Sequence, residues 1–254
     1  FPNWSVELPG MALGAASADG FAARDEVVAF LEAYARRIDA PLREGVAVRR
    51  LITEAGGGLV AETDAGAIRA KNVVVATGPY QRAVVPAAAA GLDGVRQLHA
   101  RDYRNPASLP TGGVLVVGSG ASGCQIAEAL LRAGRRDCLS VGSHRRAPRR
   151  YSGFDFQHWE AGLGEWDRPV AQRPAGEPPP LLTGVGGGRY MDIRELAEMG
   201  ATLAGRLSDA GGGVARFEPD LAQTLARGDA FYDRYLAAID AYAQAQGLDL
   251  PPPG

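Results

Sequence analysis

Residues 114–123 read VLVVGSGASG, and the fold follows from how this stretch is understood. Four apolar residues, three of them β-branched, suit a short strand buried on both faces. Gly118, Gly120 and Gly123 then follow at the G-x-G-x-x-G spacing. Residues 124–133 (CQIAEALLRA) supply a helix, with Ile126, Ala127, Leu130 and Leu131 on one face and Gly134 as its stop. In this order the glycines divide the work among them, since Gly118 permits the tight turn, Gly120 admits a pyrophosphate to the backbone, and Gly123 lets helix and strand pack closely. N–H groups at the helix start, with the positive end of the helix dipole behind them, face the phosphates. Gly118, Ser119, Gly120, Ala121, Ser122 and Gly123 are therefore assigned to a dinucleotide; an ordinary glycine turn is the competing reading.

The next strand selects the nucleotide. It spans residues 137–141 (DCLSV), and where an acidic residue would meet ribose hydroxyls stand Gly142, Ser143, His144, Arg145 and Arg146, with no carboxylate among them. A hydroxyl and guanidinium groups suit a 2′-phosphate, so NADP is preferred over NAD, with Ser143 and Arg145 first and Arg146 second. Arg149 and Arg150 read as surface charge, and a solvated basic loop over 144–150 is the plainer alternative.

The chain has 254 residues, 46% hydrophobic and 22% charged, with a formal net charge of −2. That length permits one large α/β domain or two smaller ones. The charge balance offers nucleic acid or an anionic membrane no general attraction, and no apolar run is long enough to cross a bilayer. Cys124 and Cys138 are too few for a disulfide scaffold and read as reduced, buried thiols of a cytoplasmic protein. The opening FPNWSVELPG and the closing LPPPG read as interior pieces of something longer.

Residues 1–20 lack a period; Trp4 is their conspicuous member, and core packing is the default expectation for it. An amphipathic helix is expected over 25–38. Strands at 46–52, 59–63 and 67–70, separated by the turns 55–58 and 64–66, predict a small antiparallel meander. Residues 72–78 (NVVVATG) predict a buried parallel strand whose closing Thr77 and Gly78 either admit a ligand or form a plain turn. Residues 151–188 form a Pro- and Gly-rich excursion, lining a substrate entrance or simply pinned by Phe154, Phe156 and Trp159. A helix over 191–207, a turn at 211–213 leading into VARF, and a helix over 229–246 complete the series.

The succession PNWSVELPG, VVVATG, QLHARDYRNP, VLVVGSGASGCQIAEAL and MDIRELAEMGATLAGRL resembles the middle of the flavin-containing monooxygenases and related FAD-dependent pyridine nucleotide oxidoreductases. Within these it is most similar to bacterial flavoproteins associated with potassium or metal-ion transport. The resemblance implies an α/β fold: a Rossmann-like, doubly wound NADP-binding domain over 106–254, and part of an FAD-binding domain with the meander over 1–105. It implies that Thr77 and Gly78 lie near the flavin nucleotide, that Pro2 and Trp4 lie near the isoalloxazine, and that His99 and Tyr103 join the two nucleotide domains. The family's Phe and Gly upstream of that His fall at Asp93 and Val95, a departure from the monooxygenase pattern.

No Ser-His-Asp set, metal spacing or carboxylate pair emerges, so no catalytic residue and no metal ligand is assigned; the chemistry falls to FAD and NADP. The expected partners are a small-molecule substrate and molecular oxygen, without nucleic acid, and a homodimer is the candidate assembly. A reductase passing electrons to a disulfide would call for a C-x-x-C, which is absent. A non-catalytic NADP-sensing flavoprotein module linked to ion transport is the alternative.

Overall fold

Asp25 and Glu26 in its first turn and Arg36 and Arg37 in its last complement the dipole of the first helix, α1 (Arg24–Arg37), which buries Phe30. The structure, a computed structural model, describes every residue except 15, 16, 55, 79–81, 93, 175, 253 and 254. Asp93, the turn residue Ala55 and the last two residues of LPPPG thus lie outside the described residues. The chain forms two compact units, Asp25–Ala83 and the combination of Phe1–Arg24 with Val84–Gly254.

In the smaller unit the turn chemistry produces the expected meander: β1 (Val48–Thr53), β2 (Leu59–Thr63) and β3 (Gly66–Ala70), antiparallel, with Leu51 opposite Ala61 and Ala61 opposite Ile68. The Thr63 hydroxyl donates to the Gly66 carbonyl at 2.6 Å and closes the second turn. Residues 72–78 differ from expectation. They form no strand and are exposed, Val74 to 88%. A strand buried on both faces needs a ladder partner and a cover, and the described residues supply neither here.

The larger unit is built on VLVVGSGASG. β4 (Val114–Val117) leads through α2 (Ala121–Arg132) into β5 (Asp137–Ser140), parallel to β4 with Val114 opposite Asp137 and Val117 opposite Ser140. The helix opens at Ala121 rather than Cys124 and buries Cys124, Ala127 and Leu130. The sulfurs of Cys124, which is buried, and of Cys138, which is half-buried, are free thiols. Residues 151–188 include α3 (Phe156–Gly162), capped by the Asp155 side chain, which accepts from the Gln157 N–H. Phe156 and Trp159 are buried with Ala147, Tyr235 and Ile239, while Phe154 is exposed and stacks on His158 at 4.4 Å.

The expected helix over 191–207 is replaced by three elements: α4 (Ile193–Glu198), β6 (Thr202–Ala204) and β7 (Leu207–Gly211). Gly200, at φ 110°, ends the helical path, and the residues after it extend alongside β5. The parallel sheet therefore has the order β6-β5-β4, and α4 is the crossover between β5 and β6. β7 turns back into β8 (Val214–Phe217) as an antiparallel pair. The last helix, α5 (Leu221–Gln246), begins eight residues before the expected 229 and runs through the buried Gly228. The core beneath α2 and α4 joins Val116, Leu130, Leu139, Val141, Leu181 and Ile193. No helix among the described residues is long and apolar enough to cross a membrane.

Candidate nucleotide site

The turn between β4 and α2 is shaped as the glycine spacing requires. Gly118 has φ 101°, and its N–H donates to the Ser140 carbonyl at 3.0 Å, so the loop leaves the sheet already anchored to β5. A Cβ on Gly123 would overlap the Gly118 carbonyl oxygen, so only glycine lets the first turn of α2 sit this close to the strand. A Cβ on Gly120 would meet nothing within 4 Å. Gly120 is the N-cap of α2, and no side chain caps the helix. The first N–H groups of a helix have no intrahelical acceptor, so those of Ala121, Ser122 and Gly123 stand beside an open approach suited to a phosphate.

Ser119 lies beneath the loop, 2% exposed. Its Oγ accepts from the Gly142 N–H at 3.0 Å and donates to the Gly142 carbonyl at 3.2 Å. The glycine loop is thereby fastened to the segment leaving β5. Ser143, next in that segment, is exposed. His144 turns inward, its Nδ1 3.2 Å from the Gly142 carbonyl oxygen, and packs so tightly on α5 that a Cβ at Gly228 would stand 2.6 Å from its Nε2. Burial pulls the imidazole below its ordinary range, against the raising effect of the Gly142 carbonyl.

The two arginines enter separate clusters. Arg145 pairs with Glu177 at 3.2 Å and lies 5.0 Å above the Phe231 ring. Arg146 donates to Asp229 at 3.1 Å, has Asp192 at 3.7 Å, and lies over the Tyr232 ring at 4.6 Å. Arg194, in the first turn of α4, donates both terminal nitrogens to Asp229, at 3.1 and 2.6 Å. Those Arg194 hydrogen bonds, foremost, hold the Asp229 carboxyl below the usual carboxylate range. The absence of carboxylates holds for residues 142–146 themselves but not in space, since Glu177, Asp192 and Asp229 are brought to them. Sequence reading missed these partners and Arg194; Asp229 is 83 residues from Arg146, and no local pattern marks it.

Arg149 is not surface charge. It is 8% exposed, makes a two-pronged pair with Asp155 at 2.9 and 3.2 Å, and lies 4.3 Å from the Phe21 ring centroid. Arg150 is exposed, donating to the Asp19 carbonyl at 2.7 Å. Trp4 is 37% exposed rather than in the core, near-parallel to Trp166 with centroids 6.5 Å apart. Thr77 and Gly78 are exposed and belong to the other compact unit. His99 caps a short 3-10 turn, its Nδ1 accepting from the Arg101 N–H at 3.2 Å, and the Tyr103 hydroxyl is buried without a partner among the described residues.

The family model described as pyridine nucleotide-disulphide oxidoreductase matches residues 13–152 of this chain. The chain is similar to an uncharacterized CzcO-like oxidoreductase of Geobacillus kaustophilus, 42% identical over 142 residues, or 56% of this chain and 40% of that protein. It is 36% identical over 121 residues to an uncharacterized oxidoreductase, CzcO, of Bacillus subtilis, covering 47% of this chain and 34% of that one. The matches thus cover well under half the length of these relatives. A flavin monooxygenase from Stenotrophomonas maltophilia, a double mutant, shares the fold with a TM-score of 0.56 at 22% identity, over 85% of this chain and 60% of that one.

Proposed function

The chain belongs to the pyridine nucleotide-disulphide oxidoreductase family, and from that premise we propose that it binds NADPH on the β4–α2 loop and serves an FAD-dependent, flavin monooxygenase-like oxidoreductase. The observation that carries the reading is the pairing of two glycines with opposite surroundings. Gly123 faces backbone and holds the loop closed, whereas Gly120 faces open space at an uncapped helix start. A phosphate-sized anion fits that approach, with its charge on the N–H groups of Ala121, Ser122 and Gly123 and the helix dipole behind them.

In this reading Ser119 holds the loop to β5, and Ser143, Arg145 and Arg146 serve the adenosine 2′-phosphate, Arg145 by exchanging Glu177 for it. Residues 106–254 form the NADPH side and residues 1–105 the FAD side, where Trp4, Thr77 and Gly78 are assigned to the flavin. When bound, the cofactors supply hydride transfer from nicotinamide to flavin and the onward reaction with oxygen and a small-molecule substrate. Titration of the purified chain with NADP⁺ and NAD⁺, followed by calorimetry, tests the nucleotide site. Saturable binding with NADP⁺ the tighter ligand is expected, and no binding of either would refute the proposal.

A further inference from the structure

Two guanidinium groups converge on one carboxylate beside the expected ribose position. Arg146 and Arg194 both donate to Asp229, whose side chain is 35% exposed. Two cations repel unless an anion sits between them; Asp229 is the anion that both share, and Asp192 stands 3.7 Å from Arg146 as a second carboxylate that stays when Asp229 is displaced. Arg146 does not depend on Asp229 alone for its place, and the backbone of Arg194 is tied independently of it. Arg146 lies against the rings of Tyr232 and Tyr190, at 4.6 and 5.7 Å, and Arg194 has its backbone N–H bound by the Asp192 side chain at 2.8 Å. The Nε of Arg146 is buried without a partner among the described residues, so its terminal nitrogens are the ones that face Asp229 and Asp192.

The cluster is also in the right place. Because α4 is the crossover from β5 to the parallel β6, its first turn stands at the carboxyl edge of the sheet, the edge from which the glycine loop rises. A phosphate dianion carries more charge and more acceptor oxygens than a carboxylate, so it satisfies two arginine forks better. A ribose diol has no such advantage over Asp229.

We propose that Arg194 joins Arg146 in binding the 2′-phosphate of NADP(H), and that Asp229 holds the two arginines together until the phosphate displaces it. This selectivity device rests on the nucleotide reading above and adds two residues that the glycine loop and the segment after β5 do not contain.

The test is titration of the chain and its variants with 2′,5′-ADP, NADP⁺ and NAD⁺, with thermal melts to confirm folding. Asp229→Asn is expected to tighten 2′,5′-ADP and NADP⁺ by about tenfold and to leave NAD⁺ within about twofold. Arg194→Ala is expected to weaken both phosphorylated ligands by about tenfold or more without a matching change for NAD⁺, and Arg194→Lys to recover part of the loss. Equal changes for NADP⁺ and NAD⁺, or no change, would overturn the proposal while leaving the nucleotide site standing. Weaker NAD⁺ binding in Asp229→Asn would overturn it by making Asp229 a ribose acceptor. Failure of the parent chain to bind either coenzyme would refute the nucleotide reading and this inference with it.

Discussion

Replacing Gly120 with alanine separates the fold of the glycine loop from its use. Gly120 has φ −69° and ψ 175°, a conformation open to any residue, and its added Cβ would contact nothing within 4 Å. Two small stability effects oppose each other. Alanine is a poorer N-cap than glycine by about 0.5–1 kcal/mol, while reduced freedom of the unfolded chain contributes about 0.4–1 kcal/mol in the other direction. The folded state should therefore change by less than about 0.5 kcal/mol. Binding should change far more, because the methyl group occupies the space through which a pyrophosphate reaches the helix N–H groups. Losing one or two charge-assisted hydrogen bonds costs about 2–4 kcal/mol, or roughly 30- to 900-fold in affinity. Urea denaturation and NADP⁺ titration on the same preparation measure both quantities. Gly123→Ala is the counterpart: its Cβ overlaps a backbone carbonyl, so displacement of the helix costs about 1–3 kcal/mol, partly offset by about 1 kcal/mol of helix propensity. A Gly120→Ala chain that is fully folded and binds NADP⁺ within twofold of the parent would refute the assignment of this loop to a dinucleotide.

Three further outcomes follow from groups inside the larger unit. Asp137 is 6% exposed with both carboxylate oxygens unpartnered among the described residues, and burial raises its carboxyl above the usual range. The folded chain thus holds this proton longer than the unfolded one. Its contribution to stability is fully present below the ordinary Asp range and is lost as pH rises through the raised value. Asp137→Asn should accordingly be more stable than the parent chain at pH 7 and flatten that part of the pH–stability curve; a loss would contradict the account. Breaking the buried Arg149–Asp155 pair with Arg149→Ala should cost about 3–5 kcal/mol in denaturant titration, by stranding Asp155 at the cap of α3. Burial, with Glu128 adding to it, pushes the Cys124 thiol up to about 12. Its thiolate fraction at pH 8 is then about one in ten thousand, and alkylation mapped by mass spectrometry should find Cys124 unmodified until the chain unfolds.

Much of this fold was legible because it is local. The strand, glycine loop and helix at 114–132 answer to conformations a few residues apart, as do the meander turns, and the structure reproduces them within three residues. A period of apolar residues does not distinguish a helix over 191–207 from a short helix followed by a partly buried strand. Gly200 and the β5 edge made that choice. The valines at 73–75 illustrate the converse: β-branched composition favours a strand, but a ladder requires a second strand, and none pairs with them among the described residues.

At the candidate site the same division holds. The glycine loop and the uncapped helix start were readable from residues 114–123 alone, because glycine spacing, positive φ and the start of a helix are properties of contiguous chain. The electrostatics around Arg145 and Arg146 came from folding, since Glu177, Asp192, Arg194 and Asp229 arrive from positions 32 to 83 residues away along the chain. Charge acts through space, so a segment that is purely basic in sequence becomes, once folded, two arginines already engaged by carboxylates from the stretch before α4, from the cap of α4 and from α5.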